Sequence, residues 1–545
     1  MSARTIEAMT FPQRLTHRPA RVGFVASMLL VSAVAGFVFF YHLGNAPLND
    51  WDEAWHAQVA REILSTGDWL TLHCRGEFYF NKPPLTFWLK AIAFRIGGVN
   101  ETSARFFPAL FGWGTIVTLS WFLARAISNG TGVANGMILC TSWLFVTYHT
   151  GRSAEADSTL VFFVTLTFIF LWQARQQPKW FYLAAVSTAL GWMSKGATAY
   201  LPWVACAIAA LLDRAFDRSA SRWRWRHAIA ALGMAILLTV PWQTMMVLRY
   251  GHAFTKVFYL SEGAGPALTV TEDHPGNRWF YLMILHQYFQ PWTLLAGAGL
   301  VLAAARSRST HAIVARWLAA WAITTMIACT LFATKMVWYL APALPPIAGL
   351  AGVAVYQLAR RSWGWVIVAA AAGMGVWQCH HQDWSIYDLA AAMVVLTAGI
   401  GALLFLPLSR ARWEPVLAAF LLLLPLAQHF HLTYRTIARD EEVTGEAELR
   451  NSDEPWRELA ARLNAQRHDQ IVLVDIDLEP AVYFYLSQMT PPPTMLAMTH
   501  DELVSKRATI QDGALLITRI DWMALVQAAG AHRTHRQDSL IVLQF

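Results

Sequence analysis

The sequence predicts a polytopic α-helical membrane protein with about thirteen transmembrane helices, followed by a small C-terminal α/β domain. The 545-residue chain is 56% hydrophobic and only 14% charged, whereas ordinary globular chains carry about 25% charged residues. Its apolar residues fall into many separate runs, and roughly 20 such residues span the hydrocarbon layer as a helix. Charge density rises sharply only in the last part of the chain, which predicts a domain outside the membrane.

The first apolar run, roughly Val22 to His42, follows Arg14, Arg18 and Arg21, so its N-terminal end is predicted to face the cytoplasm. At about 21 residues it is too long for a signal-peptide core, which predicts a retained anchor. Further runs begin near Phe106, Val133, Leu160, Trp180, Ala197, Ala228, Trp279, Ile313, Val337, Trp363, Ile386 and Val416. The fifth and sixth runs also fit one broken hairpin.

The net charge of +7 does not indicate a protein that binds nucleic acid. The basic residues lie in alternate short loops between the apolar runs, as expected from the membrane topology. The richest of these loops contains Arg214, Arg218, Arg222, Arg224 and Arg226. This is the pattern of the positive-inside rule. With an odd number of helices, the C-terminus is predicted to lie outside.

Three segments are predicted not to span the membrane: residues 43–105, 250–278 and 433–545. The first contains two candidate helices, Glu53–Ser65 and Leu85–Ile96, the second of which suits a helix lying in the membrane interface. The third segment has strand patterns that start at Ile471 and Leu515 and one at the C-terminus. The predicted domains are therefore 1–432, which includes both outer loops, and 433–545.

Ionisable residues gather at the predicted outer ends of the helices, where they are costly unless paired or solvated. They are Asp50, Asp52, Glu53, Arg152, Glu155, Asp157, Lys195 and Lys335, with Tyr339 nearby. One outward-facing cavity holding carboxylates and cations suits a substrate with a phosphate and a sugar. Each residue also has an ordinary explanation as a solvated loop residue, a helix cap or a snorkelling lysine. Composition and topology therefore leave transporter and enzyme open.

The segment that starts at Asp52 resembles the first outer loop of the bacterial aminoarabinose transferases (ArnT). The family pattern appears as Asp52-Glu53, Ala60-Arg61-Glu62-Ile63, Gly67-Asp68-Trp69 and Lys82-Pro83-Pro84-Leu85. Further matches follow in order: Asp157 in EADSTLVFF, SKG at Ser194, HPGNRWFYL before QPW at Gln290, and TKMVWYLAPALPP at Thr334. The resemblance covers most of the chain to about Leu350. These transferases belong to the glycosyltransferase-C superfamily and are kin to protein O-mannosyltransferases.

Carried over position by position, the resemblance implies roles for nine residues. Asp52 is the essential carboxylate near the sugar or acceptor, supported by Asp157 and the neighbouring Glu53. Lys82 binds the carrier phosphate, and Tyr339 donates a hydrogen bond to it. Further substrate contacts are implied for Lys195, Arg278 and Lys335, and His274 resembles a family histidine in the mobile outer loop.

One position departs from the family pattern, because the residue before Lys-Pro-Pro is often acidic in the family and is Asn81 here. An amide is a poorer ligand for a divalent metal ion than a carboxylate. We therefore expect no required metal or other cofactor, although the sequence does not exclude a divalent metal. The departure also leaves the identity of the sugar open.

The resemblance implies an inverting glycosyltransferase of the bacterial inner membrane with a periplasmic active site and C-terminal domain. It implies transfer of 4-amino-4-deoxy-L-arabinose or a relative from undecaprenyl phosphate to lipid A. The expected partners are this lipid-linked donor, the acceptor and membrane lipids. Alternatives are transfer to a polysaccharide or protein, and a flippase for a lipid-linked sugar. A transporter predicts polar residues through the helix centres and inverted repeats, whereas here the ionisable residues lie at helix ends.

Overall fold

The structure is a computed structural model. It describes residues 21–49, 52–147, 149–216, 223–271, 274–305, 307–358, 454–464, 469–474, 480–489, 492–499, 502–503, 510–511, 514–518, 532–537 and 540–544. The predicted helices near Trp363, Ile386 and Val416 lie outside these residues, as do Asp50 and the predicted domain boundary after residue 432.

The chain divides into two compact units, which we name by their parts. The membrane unit comprises Met1–Tyr41, Phe80–Thr86 and Phe107–Ala438. The loop–tail unit comprises His42–Tyr79, Phe87–Phe106 and Arg439–Phe545. Most of residues 43–105, the predicted first outer segment, thus belongs to the same unit as the C-terminal residues, although most of the sequence separates them.

The described residues before 359 are mainly α-helical. The helices are α1 (Arg21–Phe40), α2 (Asp52–Thr66), α3 (Leu85–Gly97), α4 (Glu101–Ala126), α5 (Asn129–Cys140), α6 (Trp143–Val146), α7 (Asp157–Ala174), α8 (Lys179–Lys195), α9 (Leu201–Phe216), α10 (Trp225–Thr255), α11 (Gly265–Leu268), α12 (Phe280–Tyr288), α13 (Trp292–Ala304), α14 (Thr310–Leu331) and α15 (Leu344–Leu358). Two 3₁₀ turns (Ala197–Tyr200 and Val337–Ala343) and a π-helix (Lys256–Ala264) join some of them.

Within the described residues, seven helical stretches are long and apolar enough to cross a membrane. They are Val22–Phe40, Glu101–Ala126, Asp157–Ala174, Ala197–Phe216, Trp225–Leu268, Thr310–Leu331 and Val337–Leu358. This finding confirms the predicted class of polytopic helical membrane protein, because each stretch has at least 18 residues and is apolar on average, as a membrane span requires.

Some of the predicted runs are divided in the structure. The run that begins near Trp279 forms α12 and α13, which Gln290 and Pro291 separate; proline lacks the N–H that a continuous helix needs at this point. The predicted outer loop 250–278 is helical up to Leu268. Gly251, with φ of 54°, marks a break between the apolar part of α10 and this outer part, and glycine adopts such a φ without steric cost.

Close backbone approach packs the helices of the membrane unit. A methyl group on Gly132 would lie 2.5 Å from the carbonyl oxygen of Ser120, and one on Gly299 would lie 2.5 Å from that of Leu350. Small residues at such crossings are typical of membrane helices, whose association depends on tight packing.

In the loop–tail unit, the Gly-Asp-Trp motif ends α2 and starts a turn. Gly67 has φ of 72°, which favours glycine. The Asp68 carboxylate then accepts hydrogen bonds from the backbone N–H groups of Leu70 and Thr71, both at 3.0 Å. A short antiparallel hairpin, β1 (His73–Cys74) and β2 (Glu77–Phe78), follows. The motif thus has a structural role in turning the chain back toward α2.

The described tail residues form helices α16 (Glu454–Leu463) and α17 (Pro480–Leu486) and a five-stranded mixed sheet. The strands are β3 (Gln470–Val474), β4 (Thr494–Met498), β5 (Leu515–Thr518), β6 (His532–Gln537) and β7 (Leu540–Gln544). Their order is β4-β3-β5-β7-β6, with β3 parallel to β4 and β5, and β7 antiparallel to β5 and β6. Three of them, β3, β5 and β7, begin within a residue or so of the strand patterns in the sequence.

Candidate active site

Asp52, the predicted essential carboxylate, is the first residue of α2 and is half-buried. The next residue, Glu53, is 1% exposed. The Arg105 guanidinium donates from Nε to Glu53 Oε1 at 2.7 Å and from Nη2 to Oε2 at 2.8 Å. Glu53 Oε2 also accepts from the Asn49 N–H at 2.8 Å. These contacts occupy both carboxylate oxygens of Glu53. Glu53 therefore holds the first turn of α2 in place.

Lys82 lies in the membrane unit, in the segment before α3. Its ammonium is ion-paired with Glu262 Oε2 of the π-helix, and the two side chains are 26% and 29% exposed. The Asn81 amide donates to the other oxygen, Glu262 Oε1, at 3.0 Å. Asn81 stands where the family often has an acidic residue. In this chain Glu262, from elsewhere in the sequence, supplies the carboxylate that pairs with Lys82.

Asp157 begins α7 and is 2% exposed. It is ion-paired with Lys195, the last residue of α8, whose side chain is 19% exposed. Gly196 follows with φ of 89° and ψ of −144°, a conformation reserved for glycine. The SKG motif thus ends α8 so that its lysine meets the Asp157 carboxylate.

His149, between α6 and α7, pairs with another carboxylate of the membrane unit. Its Nδ1 contacts Glu155, and the Ser153 hydroxyl donates to the other Glu155 oxygen at 3.0 Å. The imidazole ring stacks on Trp338 with centroids 3.9 Å apart. Trp338 precedes Tyr339, so this stack fixes the 3₁₀ turn that carries the predicted phosphate-binding hydroxyl.

Lys335 is 6% exposed, and its ammonium donates to the carbonyl oxygens of Thr330, at 2.9 Å, and Phe332. This is the position of a basic side chain that caps the C-terminus of a helix, here α14. Its backbone N–H donates to the His274 carbonyl oxygen at 3.0 Å. The loop that contains His274 is therefore joined to the segment that leads to Tyr339.

Arg278 and His274 are both exposed in the loop before α12. The Arg278 guanidinium lies 5.6 Å from the centroid of the Trp279 ring. Of the predicted site residues in the membrane unit, the structure brings together Asp157 with Lys195 and Lys335 with the His274 backbone, and it pairs Lys82 with Glu262. Asp52 and Glu53 belong to the loop–tail unit.

Sequence reasoning missed two partners, Glu262 and Arg105. Glu262 lies 180 residues after Lys82, in a segment with no motif, so no local pattern marks it. Arg105 is one of several arginines at helix ends, and its burial, with 5% exposure, is a property that the sequence does not show.

The fold and these charge pairs define a multi-pass helical membrane protein with paired acids and cations at its helix ends. The sequence pattern of the family described as dolichyl-phosphate-mannose-protein mannosyltransferase matches residues 29–256. The crystal structure of ArnT from Cupriavidus metallidurans bound to undecaprenyl phosphate has a TM-score of 0.72 at 21% identity, over 96% of this chain and 98% of that one. The chain therefore has the ArnT fold, and its predicted resemblance to the aminoarabinose transferases is confirmed.

Sequence relatives agree with this assignment. An undecaprenyl phosphate-alpha-4-amino-4-deoxy-L-arabinose arabinosyl transferase of Pseudomonas fluorescens is 28% identical over 58% of this chain and 57% of its own length. A protein of Aquifex aeolicus described as uncharacterized is 30% identical over 49% of this chain and 52% of its own. The chain thus spans little more than half the length of the curated relatives it matches.

Proposed function

We propose that this protein transfers 4-amino-4-deoxy-L-arabinose, or a related sugar, from undecaprenyl phosphate to lipid A. The observation that carries the proposal is the pairing of lysines with carboxylates, Lys82 with Glu262 and Lys195 with Asp157, in a chain with the ArnT fold. Such pairs keep cations ordered until an anionic phosphate arrives. The arabinosyl transferase of Pseudomonas fluorescens and the undecaprenyl phosphate bound to ArnT from Cupriavidus metallidurans suggest the donor and the sugar.

In the proposed reaction, the donor phosphate is the leaving group. Lys82 exchanges its Glu262 partner for the phosphate and stabilises the charge that grows as the glycosidic bond breaks. Preorganised electrostatic stabilisation of this kind is often the largest catalytic contribution. Tyr339 donates a hydrogen bond to the same group, and Lys195, Arg278, Lys335 and His274 are the further candidates for donor contacts.

The acceptor attacks the anomeric carbon from the face opposite the phosphate, so one displacement inverts the configuration. A lipid A phosphate is already anionic, so Asp52 then orients the attack or binds the sugar amine. With a hydroxyl acceptor, Asp52 is the natural general base. Asp157 supports the site through Lys195, and Glu53 positions the first turn of α2.

The proposed reaction needs no metal ion. The metal ligands available at Asn81 are its side-chain amide and the Glu262 carboxylate. The Lys82 ammonium already neutralises the charge of that carboxylate. A divalent ion at this point would have to compete with the lysine for Glu262. Addition of a chelator is therefore expected to leave the transfer rate unchanged.

We place the protein in the bacterial inner membrane with about thirteen helices. The proposed arrangement has the active site and an α/β domain of residues 433–545 in the periplasm, after a transmembrane domain of residues 1–432. The basic loops of the sequence support this orientation, because positive residues favour the cytoplasmic side. Residues 43–105 and 250–278 are then periplasmic.

Two other functions share parts of this chemistry. Transfer to a polysaccharide or protein uses the same donor and leaving group. A flippase for the lipid-linked sugar moves its substrate without breaking the sugar–phosphate bond. Release of free undecaprenyl phosphate therefore separates the transferases from the flippase.

The test uses the purified full chain with labelled undecaprenyl-phosphate aminoarabinose and lipid A. We expect mass analysis to find the modified lipid A together with free undecaprenyl phosphate. An Asp52→Asn variant is expected to lose nearly all transfer to hydroxyl acceptors and to retain some transfer to a phosphate. Intact donor and unmodified lipid A with the wild-type protein would refute the proposal.

A further inference from the structure

The segment between α1 and α2, residues 43–49, has no regular secondary structure beyond turns, yet its backbone is held from several sides. Arg105 donates to the carbonyl oxygens of Leu43, Ala46 and Pro47 at 3.3, 2.8 and 2.7 Å. These bonds satisfy backbone groups that a turn segment leaves open. They come from the first outer segment itself.

The tail of the chain supplies the remaining contacts. The N–H of Leu48 donates to the Tyr485 hydroxyl at 2.8 Å, and that hydroxyl donates to Glu101 Oε1 at 3.1 Å. Tyr485 is 5% exposed, so both bonds are shielded from water. Arg457 of α16 donates to the Asn45 carbonyl oxygen at 2.8 Å. Tyr485 and Arg457, both near the C-terminus of the sequence, thus hold the segment that directly follows α1.

A further pair fastens the body of α2 to the tail. The Arg61 guanidinium donates from Nη2 to the Ser487 carbonyl oxygen at 2.9 Å, and its Nη1 contacts the Ser487 hydroxyl. Helix α2 is therefore held at its middle by the residue after α17, while the segment before it is held by Tyr485. A helix fastened at both places has little freedom to shift along its axis.

We infer that Tyr485 is a positioning residue for Asp52, acting through the backbone of Leu48. The inference rests on the proposed function, since it concerns the geometry of the carboxylate assigned to that reaction. Asp52 starts α2 only four residues after Leu48, and the backbone N–H of Leu48 is held by the tail. A displacement of about 1 Å at a reacting group can cost a factor of about a hundred in rate. The tail therefore takes part in catalysis without touching substrate.

The experiment compares Tyr485→Phe with Tyr483→Phe in the full chain. Both changes remove one hydroxyl from α17. Among the described contacts of residues 43–49, none comes from Tyr483, which makes it the matched control. Both variants are first compared with the wild-type protein for yield and thermal unfolding in the same detergent.

For Tyr485→Phe, we expect kcat to fall about tenfold or more, with the KM for the lipid-linked donor within about twofold. The donor contacts that we propose lie outside residues 43–49, so donor binding has no reason to change. A structural role alone would lower the yield of active protein and leave the kcat of the folded fraction intact. Tyr483→Phe is expected to keep the wild-type kcat.

Hydrogen exchange gives a readout that does not depend on activity. The amides of residues 43–49 should exchange about fivefold faster in Tyr485→Phe, as expected for the loss of one hydrogen bond, and at the wild-type rate in Tyr483→Phe. Unchanged exchange, or faster exchange with an unchanged kcat, would overturn the inference. If the wild-type protein transfers no sugar, the proposed function fails, and the exchange result still decides whether Tyr485 fastens the segment.

Discussion

Lys82 and Glu262 form an ion pair whose partners are each about one-quarter exposed. The carboxylate and a donor phosphate would compete for the same ammonium. A partly exposed pair of this kind is worth at most about 1 kcal/mol, so the anionic phosphodiester of the donor can displace the carboxylate. Glu262 then tunes the affinity for the donor without abolishing it.

The change Glu262→Gln removes the competitor and keeps the size of the side chain. We expect the variant to bind undecaprenyl phosphate more tightly, by up to about fivefold, as measured by product inhibition of the transfer reaction. In a Lys82→Met background the same change should have no effect on this constant. An equal gain in both backgrounds would show that Glu262 acts elsewhere.

Cys74 in the hairpin of the loop–tail unit is 8% exposed. Burial raises the pKa of its thiol to about 12 from an ordinary value of 9.0, and the nearby Glu62 carboxylate adds to the rise. The thiol is therefore protonated at neutral pH, and the protonated form is a poor nucleophile.

We expect maleimide to label Cys74 slowly between pH 7 and 9 in the folded protein and rapidly after unfolding, as read by peptide mass spectrometry. The sign of the pH effect on stability follows from the raised pKa. The contribution of Cys74 to stability is complete below pH 9.0 and is lost as the pH rises toward 12. A Ser65→Cys variant, at an exposed position of α2, is the labelled control; equal rates at both positions would contradict the prediction.

At the scale of elements, helix ends decide where the charged side chains lie. Helix α8 ends at Lys195, and Gly196 turns the chain into a 3₁₀ turn and then α9. The sequence allowed either two helices or one broken hairpin here, and the structure has two helices with a glycine between them. The motif residues Lys82 and Asp157 likewise stand just before or at the start of a helix.

Gly196→Ala tests this helix end, because its φ of 89° strains any residue with a Cβ, although the Cβ would meet open space. We expect a loss of stability of about 1–3 kcal/mol and a lower kcat, since Lys195 would shift away from Asp157. Gly233→Ala in α10 is the control: its Cβ also meets open space, at a helical position without positive φ. Alanine favours helices by about 1 kcal/mol over glycine. Equal thermal unfolding of both variants would refute the role of Gly196.

At the scale of the whole molecule, the predicted topology assigns a side of the membrane to each exposed position. We expect Glu77→Cys, in the hairpin of the first outer segment, to react with a membrane-impermeant maleimide in intact cells. Lys179→Cys, at the start of α8, should react only after permeabilisation. Both positions are exposed, and a reversed result would place the proposed site in the cytoplasm.

The sequence by itself determined the class of the protein and the approximate positions of most of its described helices, and it proposed Asp52, Asp157, Lys82 and Lys195 as site residues. These features are local, because an apolar run of span length or a motif at fixed spacing is read without knowledge of distant residues. The apolar pattern alone did not predict where α12 ends and α13 begins, since both helices lie within one apolar run.

The tertiary structure decided which charges meet. Glu262 forms an ion pair with Lys82, and Arg105 forms one with Glu53. The Tyr485 hydroxyl accepts a hydrogen bond from the N–H of Leu48, 437 residues away in the sequence. No composition or periodicity encodes such pairs, because they depend on the path of the chain between the partners. A buried charge is stable only with a partner, so the fold selects that partner from residues that local sequence leaves indistinguishable.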